Sequence, residues 1–382
     1  MIDDVRLTRP SGLALRVALR QSSRSARLLI EQISVGRFRK KVTEWFRKNG
    51  RDLPWRRTRD PYAILVSEMM CQQTQVGTVA PYFARWMTRF PDCRTLAEAT
   101  EHDVMGLWQG LGYYSRARNL HAAAKAVMER GGVFPRELEG IRELPGVGRY
   151  TAGAVAAFAY DDAAALVDGN VARLLARVFG VREAIDGSGL RKVWELAEGL
   201  QPARGGRVFN GGLMEIGALV CTPRGPRCGE CPVAEFCIAA STGLQGEIPV
   251  TKARRKTVRV EEWCGLFVRE GEVLLELQQG TRWRGLWKLP KLEEIPERKP
   301  ELAIEYPFTH HRVRLSVYRM RAPRTNLAGR EWFAIEGIKD VPMAAGHRRA
   351  LEKLTKPCGR AGAGGIEGLP PMRTTPGQAS RQ

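Results

Sequence analysis

The sequence contains no apolar run that approaches the ~20 residues of a membrane-spanning helix, and this excludes a membrane-spanning protein. It also lacks a segment with the apolar core and cleavage site of a secretory signal, so an oxidising compartment is not implied. Residues 6–27 are rich in arginine and serine and poor in acids, which is typical of either an organelle transit peptide or a disordered basic arm.

Acidic residues are scarce relative to basic ones. The 382 residues include 61 Lys and Arg against 41 Asp and Glu, which gives a formal net charge of +20. Residues 1–60 carry 16 basic and 6 acidic residues, and a second basic cluster lies at residues 252–259. This excess indicates a polyanionic partner, with nucleic acid the first candidate, although a solvated and solubilising surface is the alternative for any single cluster.

Helical periodicity dominates residues 37–220, and no strand pattern competes with it. The length suffices for two domains, and a hydrophobic content of 43% is that of a globular protein. Proline suits the first position of a helix, so Asp60-Pro61 is expected to open one that runs through Thr74. Other helices are expected at about residues 37–49, 79–90, 101–109, 115–130, 149–160, 168–179 and 190–200.

Beyond this helical domain, which we place at residues 37–240, the pattern changes. Residues 241–258 are polar and basic with Gly and Pro, and are predicted to form a linker. Apolar alternation with a period of two then predicts a smaller α+β domain at residues 259–355, with strands at Trp263 to Arg269, Glu272 to Gln278 and Arg312 to Met320. Composition predicts disorder in the basic extension at 1–36 and in the tail at 356–382.

A Pro-Gly-Val-Gly turn followed by an Ala-rich helix lies within the hairpin predicted at residues 141–160. Gly146 and Gly148 can adopt backbone angles closed to other residues, so that amide N–H groups can meet a phosphate. The helix that starts near Arg149 adds the positive end of its dipole and a guanidinium. With a carboxylate and an amide about two dozen residues further on, at Asp168 and Asn170, this pattern indicates a DNA-backbone clamp beside a reaction centre.

Four cysteines are concentrated in the loop at residues 221–237, where six, two and five residues separate Cys221, Cys228, Cys231 and Cys237. Four thiolates that converge from one loop are what a metal centre requires. Structural zinc usually shows two close pairs, whereas here one close pair is flanked by two single cysteines. The spacing therefore favours a cubane iron–sulfur cluster over zinc, and disulfides are the alternative.

With the hairpin, the aspartate and the cysteine loop in one helical domain, the sequence resembles the helix-hairpin-helix DNA glycosylases that carry an iron–sulfur cluster. Within them it is similar to the MutY-type adenine DNA glycosylases over about residues 37–355, through RDLPW, SEMMCQQTQV, WQGLGYYSRARNL, LPGVGRYTAGAV, VDGNVARLLAR and FNGGLMEIGALVCTP. The resemblance implies an all-α helix-hairpin-helix domain followed by a smaller α+β MutT/Nudix-like domain, with one [4Fe–4S] cluster. It also implies a monomer that acts on double-stranded DNA containing adenine opposite 8-oxoguanine or guanine, in the cytoplasm at a bacterial nucleoid, with organelle targeting left open.

The resemblance implies that two carboxylates carry the reaction. Glu68 would protonate a purine nitrogen, and its helical neighbours are partly apolar, which disfavours the charged form. The alternative is a glutamate on a helix surface. Asp168 would face the oxocarbenium ion at the deoxyribose with support from Asn170, or would simply cap the helix that follows.

Tyr150 discriminates between two outcomes of the reaction. In relatives that also cut the strand, such as endonuclease III, this hairpin position holds a lysine that forms a Schiff base with the sugar. Because a phenol cannot do this, the resemblance implies a monofunctional hydrolase that leaves an abasic site.

Extrusion of a base from duplex DNA requires residues that fill the gap. Gln73, Leu111 and Tyr113 match the family's wedge positions, although core packing is the alternative for Leu111. The adenine pocket is matched by Arg51, Trp55, Arg56 and Glu215, with phosphate contact as the alternative for the two arginines.

The C-terminal domain resembles the MutT-like domain that the family uses to read 8-oxoguanine. Phe308, Thr309 and His310 fall where the family usually has Phe-Ser-His, and threonine keeps the hydroxyl. The Glu-rich Nudix signature is missing, so no pyrophosphatase activity is expected. The Gly211-Gly212 pair departs from a Gln-Ala-like pair of the family.

Two other functions stay open at this stage. A thymine or uracil mismatch glycosylase shares Glu68, Tyr150 and Asp168, but simpler mismatch relatives lack a C-terminal domain. A DNA damage-binding protein without turnover would not need both carboxylates. Adenine glycosylase activity is therefore the leading hypothesis.

Overall fold

The structure is a computed structural model, which describes residues 24–250, 257–280, 284–308, 310–323 and 328–355. A helical part is followed by a part built on a mixed sheet, so the predicted all-α domain and smaller α+β domain are confirmed. The helices of the first part are α1 (Arg24–Glu31), α2 (Val35–Asn49), α3 (Pro61–Cys71), α4 (Val76–Arg89), α5 (Cys93–Glu98), α6 (Glu101–Trp108), α7 (Ser115–Glu129), α8 (Leu138–Arg142), α9 (Arg149–Tyr160), α10 (Gly169–Val178), α11 (Gly187–Gly199), α12 (Gly206–Leu219) and α13 (Ile238–Ser241).

Helix α3 begins as its sequence dictates but ends early. The Asp60 carboxylate accepts hydrogen bonds from the backbone N–H groups of Tyr62 and Ala63, and Pro61 occupies the first helical turn. The expected end at Thr74 is wrong, because Gln73 adopts a left-handed backbone conformation with φ of 55°. Residues 72–74 therefore form a turn at the end of this helix.

Two buried clusters form the core of the helical part. Trp86, Phe90 and Trp108 belong to one cluster, and Phe38 and Phe209 belong to the other. Helix α9 contributes to both, since its residues 152, 155, 156 and 159 face the first and residues 154 and 157 face the second. The cleft described below lies where these two clusters meet.

Close approaches of backbone position the segments around that cleft. A Cβ at Gly153 would collide with the carbonyl oxygen of Ala165, so glycine is required where α9 packs against the chain that leads into α10. At Gly211 a Cβ would lie 2.7 Å from Cζ of Phe46, and at Gly212 it would lie 2.6 Å from a methyl of Val42. The two consecutive glycines therefore let α2 pack directly on α12.

Part of the segment expected to be disordered is a helix. The prediction for residues 1–36 is wrong for α1, because Ala26 and Ile30, one turn apart, are 0% and 5% exposed and pack into the second cluster. The predicted linker is likewise packed in its first part: Ile248 is buried, and its carbonyl accepts a 2.7 Å hydrogen bond from Nε of Arg177. Residues 1–23, 251–256 and 356–382 lie outside the described residues.

The second part contains one mixed sheet. Its strands are β1 (Val258–Arg269), β2 (Glu272–Leu277), β3 (Trp287–Lys288), β4 (Leu302–Phe308), β5 (His311–Met320) and β6 (Arg330–Ala334), in the order β3-β2-β1-β5-β4 with β6 paired to β2. The long strand β1 runs parallel to β5, and the other pairs are antiparallel. Strands β3, β4 and β6 and the final helix α14 (Ala345–Thr355) were not predicted.

Side chains of α14 and of the loop after β2 connect the two parts. Arg348 donates a 3.0 Å hydrogen bond to Oε1 of Gln109, and Arg118 donates a 2.6 Å bond to the carbonyl of Arg284. Leu286 is fully buried within the first helical cluster. Among the described residues, no helix is long and apolar enough to cross a membrane.

Candidate active site and cysteine loop

A cleft of about 940 Å³ opens between the two helical clusters. Its walls come from the loop after α2, from α3 and its following turn, and from the first turns of α9 and α10 and the middle of α12. The predicted site residues that line it are Arg51, Trp55, Arg56, Glu68, Gln73, Tyr150, Asp168, Asn170 and Glu215. Segments separated by more than 150 residues in the sequence therefore meet in one cavity.

Glu68 is the buried acid of the cleft. Only 5% of its surface is exposed, and its Oε2 accepts a 2.6 Å hydrogen bond from the hydroxyl of Tyr150. The pKa of Glu68 is raised to about 7, chiefly by burial and also by the nearby Asp168, against the lowering effects of Tyr150 and Arg56. At neutral pH this carboxyl is consequently protonated in a substantial fraction of molecules, as a general acid requires.

Tyr150 lies in the first turn of α9 and remains a proton donor. Burial, followed by the charges of Glu68 and Asp168, raises the pKa of Tyr150 well above its ordinary value. Its phenol is therefore neutral at physiological pH and donates to the carboxyl of Glu68. This contact fixes one carboxyl oxygen and leaves the other available for a ligand in the cleft.

Asp168 caps a helix and also lines the cleft. Its Oδ1 accepts a 2.7 Å hydrogen bond from the backbone N–H of Val171, which caps α10. Its Oδ2 accepts a 2.9 Å hydrogen bond from the side-chain amide of Asn170, and the carboxylate lines the cleft. Arg173 donates a 2.8 Å hydrogen bond to the amide oxygen of Asn170 and so orients that amide.

Glu215 anchors the two arginines at the opposite wall. It is fully buried on α12 and forms ion pairs with Arg51 and Arg56. Burial alone would raise the pKa of Glu215, but hydrogen bonds from Arg51 and Arg56 outweigh it and hold the pKa below its ordinary value. The guanidinium of Arg56 also lies 5.2 Å from the ring centre of Phe46. The phosphate alternative for these arginines is thus less favoured than a structural role in the pocket wall.

The three wedge candidates occupy different environments. Gln73 lines the cleft, and Tyr113 is 48% exposed on the loop between α6 and α7. Leu111 is only 6% exposed and packs in the first helical cluster, which agrees with the core-packing alternative. The structure therefore presents Gln73 and Tyr113, and not Leu111, at the surface.

Sequence reasoning missed Arg116, which contacts the turns that carry both exposed wedge candidates. The sequence offered one signal for a buried arginine: Arg116 stands on α7 beside the apolar residues Ala117 and Leu120.

The hairpin has the predicted glycines, but its arginine is engaged elsewhere. Gly146 has φ of 74°, and a Cβ there would strike the side chain of Asn119. Gly148 is the N-cap residue of α9 and is exposed. Arg149 pairs with Glu198, and its guanidinium lies 4.0 Å from the ring centre of Trp194. The contact of Arg149 with phosphate stays a prediction beside this half-exposed ion pair.

The four loop cysteines converge on one cavity between the loop and α10. Cys221, Cys228, Cys231 and Cys237 line it together, and none of them forms a disulfide. In the described part of the chain, no group of three or more His, Cys, Asp or Glu side chains is arranged to hold a single metal ion. Four thiols around a shared space supply the thiolate ligands that an iron–sulfur cluster requires.

The loop between β4 and β5 carries the remaining predicted contacts. Phe308 is half-buried and packs against the core of the C-terminal part, and the ring of His310 lies 4.0 Å from that of His311. Thr309 lies outside the described residues. A separate cavity of about 360 Å³ is lined by residues on both sides of this loop, including His310 and Arg312.

Two family models match the chain. Residues 66–198 match the HhH-GPD superfamily of base excision DNA repair proteins, and residues 221–237 match the iron–sulfur binding domain of endonuclease III. The second match covers the four cysteines, so the predicted iron–sulfur site, with one [4Fe–4S] cluster, is confirmed.

Two relatives are named adenine DNA glycosylase. The Homo sapiens protein is 44% identical over 269 residues, which cover 66% of this chain and 49% of the human protein. The protein of Buchnera aphidicola subsp. Schizaphis graminum is 33% identical over 260 residues, which cover 67% of this chain and 75% of that protein. The chain spans about half the length of the mammalian relatives it matches.

Two solved structures are similar to part of the chain at TM-scores just below 0.5. A thermostable thymine-DNA glycosylase superposes with a TM-score of 0.49 at 33% identity, and covers 54% of this chain and 95% of its own. A non-covalent endonuclease III–DNA complex gives a TM-score of 0.48 at 21% identity, with 56% of this chain and 99% of that chain covered.

Proposed function

The chain belongs to the adenine DNA glycosylase family, and we propose that it removes adenine mispaired with 8-oxoguanine or guanine from duplex DNA. The reaction is a monofunctional hydrolysis of the N-glycosidic bond that leaves an abasic site. The observation that carries the proposal is the pairing of Glu68 with Tyr150 in the same cleft as Asp168.

Glu68 and Asp168 divide the chemistry between them. The Glu68 carboxyl, whose pKa is raised to about 7 by burial, transfers its proton to a ring nitrogen of the extruded adenine. The C1′–N9 bond then breaks with both electrons going to the base, and the Asp168 carboxylate stabilises the positive charge that develops on the sugar. Water adds to C1′, and its proton passes to a carboxylate of the site.

Tyr150 limits the reaction to hydrolysis. A neutral phenol held by a hydrogen bond to Glu68 offers no amine that could form a Schiff base with the opened sugar. The strand therefore stays intact at the abasic product until alkali cleaves it.

Binding to duplex DNA is supported by the charge of the chain and by the hairpin. The net charge is +20, and the exposed Gly148 starts α9, where free backbone N–H groups attract phosphate. Gln73 and Tyr113 are the proposed wedge residues. We propose that the protein binds as a monomer and that the loop at residues 308–310 contacts 8-oxoguanine opposite the extruded adenine.

The cavity lined by the four cysteines, which would hold the cluster, shares no lining residue with the catalytic cleft. When bound, the [4Fe–4S] cluster supplies a rigid covalent cross-link among four thiolates, and the protein residues around it do the positioning. Arg177, for example, has a guanidinium nitrogen 3.4 Å from Sγ of Cys221 and donates to the carbonyl of Thr222.

A location at the bacterial nucleoid stays a prediction, which a fluorescent fusion of the full chain tests.

Duplexes that carry A, T or U opposite G or 8-oxoguanine test the proposal. Strand breakage is measured before and after alkali for the wild type and for Glu68→Gln, which serves as the inactive control. We expect alkali-dependent breakage only at adenine, and fastest opposite 8-oxoguanine. Release of thymine or uracil in place of adenine, or breakage without alkali, contradicts the proposal.

A further inference from the structure

The two exposed wedge residues share an unusual backbone conformation. Among the described residues, four other than glycine have a clearly positive φ, and Gln73 at 55° and Tyr113 at 49° are two of them. Side chains with a Cβ disfavour this left-handed region, so neighbouring contacts must hold it. The other two have ordinary explanations, since Asp161 ends α9 and Glu270 lies in the β1–β2 turn.

One arginine contacts both strained turns. Nη1 of Arg116 donates to the carbonyl oxygens of Met69, Met70 and Gln72 at 2.8, 2.8 and 2.5 Å. Its Nη2 donates to Oγ1 of Thr74 at 3.2 Å, and to the carbonyls of Leu111 and Gly112 at 3.1 and 3.0 Å. The first nitrogen thus bonds the end of α3 and the residue before Gln73. The second bonds the residue after Gln73 and the two residues before Tyr113.

The environment of Arg116 indicates a dedicated site for a cation. The residue is 6% exposed, and each of these six acceptors is a neutral oxygen. Burial lowers the pKa of Arg116 to about 10, so it is still charged at neutral pH. The guanidinium also lies 5.3 Å from the Trp108 ring centre and 5.5 Å from that of Tyr113. A buried cation is costly unless hydrogen-bonded, and these oxygens and rings compensate the two terminal nitrogens, while Nε has no hydrogen-bond partner in the described part of the chain.

We propose that Arg116 is a positioning residue for base extrusion. It holds the two turns that carry Gln73 and Tyr113, so that both side chains meet the duplex as a pair. This inference rests on the proposed function. The planar guanidinium spans the two turns because Nη1 bonds the first and Nη2 bonds both, whereas a lysine has one nitrogen and would bond only part of the set. Contact of either wedge residue with DNA is thereby supported by the backbone that carries the other.

The experiment compares Arg116→Lys in two backgrounds, the wild type and the Gln73→Ala/Tyr113→Ala double variant. Extrusion is followed by the fluorescence of 2-aminopurine placed beside the target adenine, and adenine release by single-turnover rates. In the wild-type background we expect Arg116→Lys to lower base extrusion and the rate of adenine release by about tenfold each. In the double variant we expect both to fall by less than about twofold, because the two side chains that Arg116 positions are gone. Arg130→Lys, an exposed position just beyond the same helix, is the matched control and should change neither.

Circular dichroism and iron content establish that each variant is folded. If Arg116→Lys does not fold, Thr74→Val carries the comparison, since it removes one acceptor and should lower extrusion by about threefold in the wild-type background alone. The same fold-change in both backgrounds means a merely structural role and overturns the inference. A wild type that extrudes the base without releasing it refutes only the proposed reaction. A wild type that binds the duplex without extrusion refutes the role of Arg116.

Discussion

The hydroxyl of Tyr150 lies 2.6 Å from Oε2 of Glu68, and it joins the first turn of α9 to the middle of α3. The hydrogen bond lowers the pKa of Glu68, and burial opposes it and dominates. Burial is therefore the main cause of the raised pKa of Glu68, and Tyr150 moderates that rise. We expect an amine at this hairpin position to redirect the reaction to strand cleavage.

Removal of this hydroxyl should shift the pH dependence of base release. In Tyr150→Phe the contact that lowers the pKa of Glu68 is lost, so the pKa rises above about 7 and the acid stays protonated to higher pH. The alkaline limb of the single-turnover rate should move to higher pH, with a lower maximum because the carboxyl is less well oriented. Tyr160→Phe, at the other end of α9, is the control. A limb that moves to lower pH would contradict this assignment.

Glu68→Gln should separate activity from stability. Loss of the acid is expected to lower the single-turnover rate by about 10²–10⁴-fold. The folded protein favours the protonated carboxyl, because its pKa is about 7 against an ordinary 4.5, so wild-type stability falls as pH rises between these values. Above pH 7 the Glu68→Gln variant should therefore have a free energy of unfolding about 2–3 kcal/mol higher than that of the wild type. Urea unfolding at pH 5 and pH 8 measures this, and an equal effect at both pH values would count against the shift.

Glu215→Gln should destabilise the pocket wall. The substitution keeps the shape but leaves the guanidinium groups of Arg51 and Arg56 without their buried carboxylate. A loss of about 3 kcal/mol in the free energy of unfolding is expected, together with a slower reaction. The pKa of Glu215 is held low, so its contribution is present at neutral pH and is lost as pH falls through the folded pKa. Unchanged stability at pH 7 would show that these pairs contribute little.

Cys228→Ser should release the cluster. One of four thiolate ligands is lost, so iron content and visible absorption are expected to fall together with the melting temperature. The control is Cys93→Ser, which alters a half-buried cysteine packed against the first helical cluster. Equal iron content in both variants would exclude Cys228 from the ligand set.

Local pattern predicted those parts of the molecule that depend on neighbours in sequence. The start of α3 follows from Asp60 and Pro61, and α9 was predicted at residues 149–160, which are its observed bounds. The cleft residues came from motif matches, and the fold places Glu68 and Asp168 in one cavity.

What the sequence did not predict depends on distant contacts. The early end of α3 is associated with hydrogen bonds from Arg116, which lies 44 residues beyond Gln72. The ion pair of Arg149 with Glu198, which is 49 residues away, was not predicted. Short elements such as the two-residue strand β3 exist only through their pairing with β2 and carry no periodicity of their own.

Helix α9 packs into both buried clusters, and its Gly153 touches the backbone that leads to Asp168. Glu68 belongs to a helix of one cluster, and Asp168 begins a helix of the other. The distance between Glu68 and Asp168 is thus set by how far apart the two clusters lie. Helix α9 packs against both clusters and acts as the spacer between them. Substitutions on the buried sides of α9 are therefore expected to slow the proposed reaction while every group that touches the nucleotide remains in place.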